Sequence, residues 1–218
     1  MTGTLVALSS EDLLIQAARN GDLDAFNQLV LAYQSQVYAL AYRLLGDREM
    51  AADVAQETFL SAFQHISTFQ RGYLRAWLLR IATNLCYDML RRKRSRPTAP
   101  LEALLASPES SELHLHEEEN NPEMYAEQQE LAQEIQRALD TLLPEQRAVV
   151  VLCDIEGFPY AEAAQILGIS QGTLKSRLSR GRAHLRDYFL AHRELLPASL
   201  RSILGSEELS MPADRPED

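Results

Sequence analysis

The chain has 218 residues, an apolar fraction of 46% and a formal net charge of −10. This length allows one or two domains with hydrophobic cores. Glycines and prolines are few, and apolar residues recur every 3.6 residues over long stretches, which predicts an all-α fold. Its two cysteines, Cys86 and Cys153, belong to no metal-binding or redox motif and are interpreted as small buried thiols. The lack of a signal peptide and of a bilayer-length apolar run predicts a cytoplasmic protein without membrane insertion, and we expect no metal and no cofactor.

Four helices are predicted before residue 97, forming a small bundle. Ser9 or Ser10 begins the first helix, Asp22 or Asp24 the second and Asp47 the third, because short polar side chains cap helix N-termini. In the third helix, the residues expected to face the core are Ala51, Val54, Ala55, Phe59 and Phe63.

The fourth helix is predicted from about residue 73 to residue 96 and is strongly basic. Residues 71–96 contain eight Lys or Arg residues and one acidic residue, Asp88. The expected core stripe is Leu74, Trp77, Ile81, Leu85 and Met89. The other side carries Arg80, Asn84, Tyr87 and Arg91. Cations interleaved with an aromatic ring and an amide are typical of a nucleic-acid interface, although a solvated basic face would show the same pattern.

The segment 98–125 separates this bundle from the rest of the chain and is called the connector below. It contains seven carboxylates, no Lys or Arg, and several prolines and serines. Because no apolar periodicity persists in it, we interpret it as a flexible acidic linker that does not bind DNA.

The stretch 159–186 has the pattern of a helix-turn-helix. A short helix precedes Gly168-Ile169-Ser170, where the glycine permits a tight turn and the serine can cap the next helix. The narrow apolar stripe of this second helix is formed by Leu174, Leu178, Gly181 and Leu185. Its opposite face carries small residues flanked by cations, which suits a helix that enters the major groove of DNA.

The charge of this stretch has two explanations. Residues 163–186 contain five cations and no acidic residue. An ordinary amphipathic helix with a solvated basic face accounts for the charge alone. The succession of helix, glycine turn and basic helix favours DNA binding instead.

Several motifs resemble those of bacterial sigma factors. Residues 53–59 (DVAQETF), 69–72 (FQRG) and 77–84 (WLLRIATN) look like region 2 of the sigma-70 family. Residues 142–147 (LLPEQR), 156–164 (EGFPYAEAA) and 172–177 (GTLKSR) look like region 4. Two such domains and a linker resemble the extracytoplasmic-function (ECF) group. The resemblance implies a region 2-like domain at 10–97, the acidic linker at 98–125, a region 4-like domain at 126–190 and an acidic tail at 191–218.

The resemblance also implies a role for each polar surface. In region 2 the third helix contacts core RNA polymerase, and the matching residues are Asp53, Gln56 and Glu57. The residues that match the −10 interface are Phe69, Arg71, Tyr73, Arg80, Asn84, Tyr87 and Arg91. The helix-turn-helix residues that match the −35 interface are Gln171, Thr173, Lys175, Ser176, Arg177, Ser179, Arg180 and Arg182.

These roles predict an RNA polymerase sigma factor that recognises −35 and −10 elements and assists promoter opening. Its expected partners are core RNA polymerase and promoter DNA, with an anti-sigma factor as a further candidate. No catalytic residue is expected, since the sequence holds no metal-ligand cluster, phosphate loop or nucleophile constellation. The alternative is a helix-turn-helix transcriptional regulator that acts without core polymerase, which leaves the basic fourth helix unexplained.

Overall fold

The computed structural model describes residues 10–69, 73–95 and 122–195. Every regular element in these ranges is helical, which confirms the all-α prediction. The helices are α1 (Ser10–Arg19), α2 (Leu23–Leu45), α3 (Arg48–His65), α4 (Leu74–Ser95), α5 (Pro122–Asp140), α6 (Pro144–Val150), α7 (Tyr160–Leu167) and α8 (Gln171–Ala191). A π-helical segment, Val151–Ile155, follows α6 directly, and 3-10 turns occur at Ile66–Thr68 and Arg193–Leu195.

Parts of the predicted organisation lie outside the described residues. These are Arg71, most of the connector and the end of the acidic tail. The last four connector residues, 122–125, belong to α5.

The predicted caps of α2 and α3 are confirmed, whereas Ser9, one of the two candidate caps of α1, lies outside the described residues. Asp22 and Asp47 each accept a hydrogen bond on their side-chain oxygen, from the backbone N–H of Ala25 and of Met50, both at 3.0 Å. Gly46 ends α2 with a φ of 71°, a left-handed conformation that glycine adopts without a steric penalty. The local sequence thus sets where α2 and α3 begin and where α2 ends.

The described chain forms two compact units. The first contains α1 to α4 together with residues 161–170, and the second contains residues 122–160 and 171–195. The helices α7 and α8, consecutive in the chain, therefore fall on either side of this division. In the first unit α2 packs against α1, α3 and α4, and its buried residues include Leu29, Val37, Leu40, Ala41 and Leu44.

Small residues, rather than aromatic ones, form the buried face of α3. Its buried residues are Ala51, Val54, Thr58 and Ala62. The buried hydroxyl of Thr58 donates to the carbonyl of Val54 at 2.7 Å, which satisfies it within the helix. The prediction that Phe63 faces the core is wrong, because its side chain is 41% exposed. Its ring instead covers the edge of the bundle against Phe26, with centroids 5.1 Å apart.

The core stripe of α4 also differs from the predicted one. The buried residues are Leu74, Leu78, Leu79, Ala82, Thr83 and Cys86. The predicted Trp77, Ile81, Leu85 and Met89 are half-buried and lie along the border of this face. The buried face is rotated by roughly one residue, or about 100°, from the predicted stripe. The helix packs against α2 and α3, and its buried set combines Leu78 and Leu79 with the small residue Ala82.

In the second unit α6 packs against α8 at a glycine. A Cβ atom placed on Gly181 would lie 2.8 Å from Cγ2 of Val150, which is closer than side chains tolerate. The glycine therefore permits the approach of the two helices that buries Leu174 and Leu178.

Gly181→Ala is expected to lower the free energy of unfolding by about 1–3 kcal/mol, because the added methyl group overpacks the contact with Val150. Urea unfolding of the full chain would measure this. The matched control is Gly172→Ala on the exposed start of α8, where alanine should be neutral or stabilising. An equal loss of stability in both variants would contradict the close contact.

An ion pair and a hydrogen bond join helices of the second unit. The guanidinium of Arg147, 10% exposed, lies 3.0 Å from the carboxylate of Asp140 and also donates to its backbone carbonyl at 2.9 Å. The carboxylate of Glu134, only 2% exposed, accepts from Arg137 at 2.6 Å and from the hydroxyl of Tyr188 at 2.9 Å. The second contact joins α5 to α8 and thereby supports the helix predicted to bind DNA.

Candidate nucleic-acid interface

The predicted inner face of α8 is confirmed. Leu174, Leu178 and Gly181 are buried and Leu185 is half-buried. At 100° per residue, the exposed Gly172, Ser176 and Ser179 point to the opposite side. A strip of small, exposed side chains therefore runs along α8, and such a strip lets a helix backbone come close to base edges.

Cations flank this strip on both sides. Lys175 and Arg186 lie along one border and Arg177 and Arg180 along the other. Lys175, Arg180 and Arg186 are exposed and Arg177 is half-buried. Arg180 makes no ion pair with any residue in the described ranges, so its charge is available to an external partner.

One border of the strip forms an open groove of about 500 Å³. Its lining residues are Tyr160, Lys175, Leu178, Ser179, Arg182, Ala183 and Arg186. Three of these residues are cationic. Arg182 lies 2.6 Å from a carboxylate oxygen of Asp154 and Arg186 lies 3.2 Å from one of Asp187, so part of the positive charge of the groove is balanced within the protein.

The remaining predicted −35 residues have distinct surroundings. Gln171 is exposed and Thr173 is half-buried. The hydroxyl of Ser176 donates to the carbonyl of Thr173 at 2.9 Å, which leaves its oxygen able to accept. Arg182 donates from Nε and Nη2 to the two carboxylate oxygens of Asp154, at 3.0 and 2.6 Å. The hydrogen bond with Asp154 raises the pKa of Arg182 above its usual range.

The predicted polar residues of α4 share one face of the helix. Arg80, Asn84 and Arg91 are exposed and Tyr87 is half-buried. Arg91 pairs with Asp88 one turn earlier, at 2.9 Å. Arg80 and Asn84, one turn apart, therefore present a cation and an amide at the centre of this face.

The residues before α4 place aromatic rings beside that face. Phe69 is half-buried against Trp77, with ring centroids 5.2 Å apart. The prediction that Trp77 is a core residue is corrected by this arrangement, since the ring is half-buried and covered by Phe69. Tyr73 is 81% exposed at the start of α4 and offers a free ring face for stacking.

The predicted polymerase-binding residues lie together on the outer face of α3. Asp53, Gln56 and Glu57 are all exposed. Leu60, one turn further along the same face, is 50% exposed. Leu60 was not predicted as a site residue. Its place on the same outer face as Asp53, Gln56 and Glu57 becomes evident only once the buried face of α3 is known.

Three further findings concern thiol reactivity, metal binding and membrane-spanning helices. Burial raises the pKa of the Cys86 thiol to about 12, which keeps it in the unreactive thiol form. Within the described ranges no cluster of His, Cys, Asp or Glu could hold a metal ion. Of the helices that the structure describes, none has both the length and the apolar character required to cross a membrane.

A basic face on α4 and a recognition helix α8 after a glycine turn together define a DNA-binding protein. The sigma-70 region 2 family matches residues 29–96, and the sigma-70 region 4 family matches residues 132–185. The chain is 43% identical over 191 residues to the ECF RNA polymerase sigma factor SigE of Mycolicibacterium smegmatis, covering 88% of this chain and 69% of that protein. It is 37% identical over 175 residues to the ECF RNA polymerase sigma factor SigW of Bacillus subtilis, covering 79% and 92%. The chain belongs to the ECF group of the sigma-70 family.

Solved structures support the same assignment. CnrH in complex with the cytosolic domain of CnrY matches with a TM-score of 0.59 and 28% identity, over 84% of this chain and 99% of that one. The sigma factor RpoE of Bartonella quintana, in complex with the anti-sigma factor NepR, matches with a TM-score of 0.56 and 29% identity, over 76% and 96%. The chain is thus an RNA polymerase sigma factor, that is, a transcription initiation factor.

Proposed function

We propose that this chain directs core RNA polymerase to promoters by reading the −35 element with α8 and the −10 element with α4. The observation that supports this most strongly is the exposed strip of α8, small at its centre and cationic along both borders. Phosphate contacts from the borders would orient the helix, and side chains of the strip would reach base edges. In this function the chain performs no covalent chemistry and acts in the cytoplasm.

The −10 surface combines stacking with hydrogen bonding. Tyr73 offers an exposed ring, and Arg80 and Asn84 offer a cation and an amide further along α4. These groups suit an unpaired strand, because extruded bases need a stacking surface and partners for their edges. Arg71, which the sequence places in the same loop, lies outside the described residues.

Asn84→Ala is expected to slow open-complex formation several-fold on duplex promoters and to have a smaller effect on promoters with a pre-melted −10 bubble. The reason is that capture of an extruded base offsets the cost of unstacking it, and a bubble has already lost that stacking. Permanganate footprinting with reconstituted holoenzyme would measure the rate.

The matched control for this experiment is Asn27→Ala, which removes an exposed amide from α2. It should change neither template. Equal losses for Asn84→Ala on duplex and bubble would show that Asn84 contacts DNA without taking part in melting.

The outer face of α3 is proposed to bind core polymerase. Carboxylates at Asp53 and Glu57 would meet basic residues of the polymerase, and the exposed Leu60 would bury its side chain beside them. An exposed leucine bordered by acidic and amide groups has the composition of a small interface core with a polar rim.

Leu60→Asp is expected to weaken binding to core polymerase by tenfold or more, because a carboxylate cannot be buried unpaired in the interface. Fluorescence anisotropy of the labelled chain with core polymerase would measure the affinity. Leu31→Asp, at a 67% exposed leucine of α2, is the matched control and should bind normally. Similar losses for both variants would place the interface elsewhere.

An anti-sigma factor is a proposed additional partner. The RpoE structure that this chain resembles was solved with the anti-sigma factor NepR bound. The alternative function, a helix-turn-helix regulator independent of core polymerase, is disfavoured because it gives no role to the polar faces of α3 and α4.

A further inference from the structure

Arg182 is held differently from the other cations of α8. Its Nε and Nη2 atoms donate to both carboxylate oxygens of Asp154, at 3.0 and 2.6 Å. A planar guanidinium that donates to two oxygens of one carboxylate has a fixed orientation. Although the Arg182 side chain is 53% exposed, much of its donor capacity is therefore used within the protein.

The backbone that carries Asp154 is unusual. Residues Val151–Ile155 are π-helical, and the N–H of Glu156 donates to the carbonyl of Val151, five residues earlier, at 2.9 Å. Such segments are rare and are frequent at functional sites. One extra residue in the turn rotates the following side chains by about 100° relative to an uninterrupted α-helix. The π-helical segment thereby determines the direction in which Asp154 points.

Arg182 lies between the buried stripe of α8 and the strip of small residues. It is about 80° from Leu174 around the helix, whereas Ser179 and Ser176 are about 140° and 160° away. Arg180, on the other border, has no ion pair with a described residue. The pairing of Arg182 with both carboxylate oxygens of Asp154 thus distinguishes it from Arg180.

We propose that Asp154 and Arg182 form a clamp that fixes the orientation of the recognition helix, and that Asp154 holds Arg182 out of contact with DNA. Both are then positioning residues for −35 recognition. This inference rests on the proposed function, in which α8 reads the −35 element. It reassigns Arg182, which the sequence analysis had placed among the DNA-contacting residues.

The clamp makes a specific prediction about salt. Each cation that neutralises a DNA phosphate contributes about −0.9 to the slope of log affinity against log salt concentration. Arg182→Gln should therefore leave the slope unchanged, since a clamped Arg182 neutralises no phosphate. Arg177→Gln, which removes a cation on the other border of the strip, is the matched control and should make the slope less negative by about 0.9.

The experiment uses holoenzyme reconstituted from the full chain and core polymerase. The probe is a promoter duplex that the wild-type holoenzyme selects from a randomised pool, compared with the same duplex carrying a scrambled −35 segment. Arg182→Gln, Asp154→Asn and the double variant are measured over a potassium chloride series. The expected result is a loss of at least threefold in discrimination between the two duplexes for each single variant, with no further loss in the double variant.

A slope that becomes less negative by about 0.9 for Arg182→Gln would overturn the clamp. Unchanged discrimination in both single variants would also overturn it. If the single variants fail to fold by circular dichroism, Asp154→Glu and Arg182→Lys replace them. The first should keep most of the discrimination because it retains the carboxylate, and the second should lose it because an ammonium cannot donate as a fork. The reverse order would overturn the clamp. Failure of the wild-type holoenzyme to select any promoter would instead overturn the proposed function, and the clamp with it.

Discussion

Arg137→Ala is expected to lower the free energy of unfolding of the second unit by about 3 kcal/mol. The reason is that the Glu134 carboxylate is 2% exposed and would lose the guanidinium that lies 2.6 Å away. Only the hydroxyl of Tyr188 would remain to stabilise a buried charge. This cost is large relative to the stability of a small domain, and urea unfolding would measure it.

The same site supplies its own control. Glu134→Gln in the Arg137→Ala background should recover much of the lost stability, because a neutral amide of similar size needs no counter-charge and can still accept from Tyr188. Arg180→Ala, which removes an exposed charge from the surface of α8, should have little effect on stability. A stability loss that Glu134→Gln fails to relieve would show that Arg137 acts through packing and not through its charge.

Arg180→Ala is expected to weaken binding to the −35 element by about 1–3 kcal/mol, the range for losing one good contact between a side chain and a base. Arg180 is exposed beside the strip of small residues, and none of the described residues forms an ion pair with it. Its guanidinium can therefore reach DNA without first breaking an internal contact. Holoenzyme binding to a selected promoter would measure the change.

The control for this prediction is Arg48→Ala, which removes an exposed cation at the start of α3, outside the proposed DNA-binding surfaces. It should change binding much less. Unchanged affinity of Arg180→Ala at low salt would remove Arg180 from the interface and shift recognition to the Lys175 side of α8.

Local features of the fold could be predicted from the sequence. Asp22, Asp47 and Gly46 set helix ends through contacts within a few residues, so the residue types alone were sufficient. The apolar stripe of α8 was also predictable, because Leu174, Leu178 and Gly181 follow ordinary helical spacing and all three are buried. The domain boundaries and the roles of the individual site residues stay predictions.

The core stripe of α4 was not predictable in the same way. The helix packs against both α2 and α3, and its buried side includes the small residues Ala82 and Thr83. The larger residues Trp77 and Ile81 lie at the rim of the buried face. The face predicted from the bulkiest side chains at helical spacing is therefore displaced by about one residue from the observed face. The buried hydroxyl of Thr83 is satisfied by the Leu79 carbonyl at 2.7 Å, a contact that hydropathy does not reveal.

Contacts between distant residues were also beyond the sequence analysis. Asp154 and Arg182 are 28 residues apart, and Glu134 and Tyr188 are 54 apart. Their pairing depends on how α5, α8 and the π-helical segment pack. The sequence shows Arg182 only as one of several cations on a basic helix, and the structure shows that it is paired with Asp154.

In vitro transcription from a randomised promoter pool tests the function of the chain most directly. Core RNA polymerase is incubated with the pool with and without the chain, and the transcripts are sequenced. The predicted result is a set of start sites that requires the chain, shares −35 and −10 elements and is weakened by both Arg180→Ala and Asn84→Ala. Binding of the chain to DNA without core polymerase, together with no chain-dependent transcripts, would contradict it and favour an independent helix-turn-helix regulator.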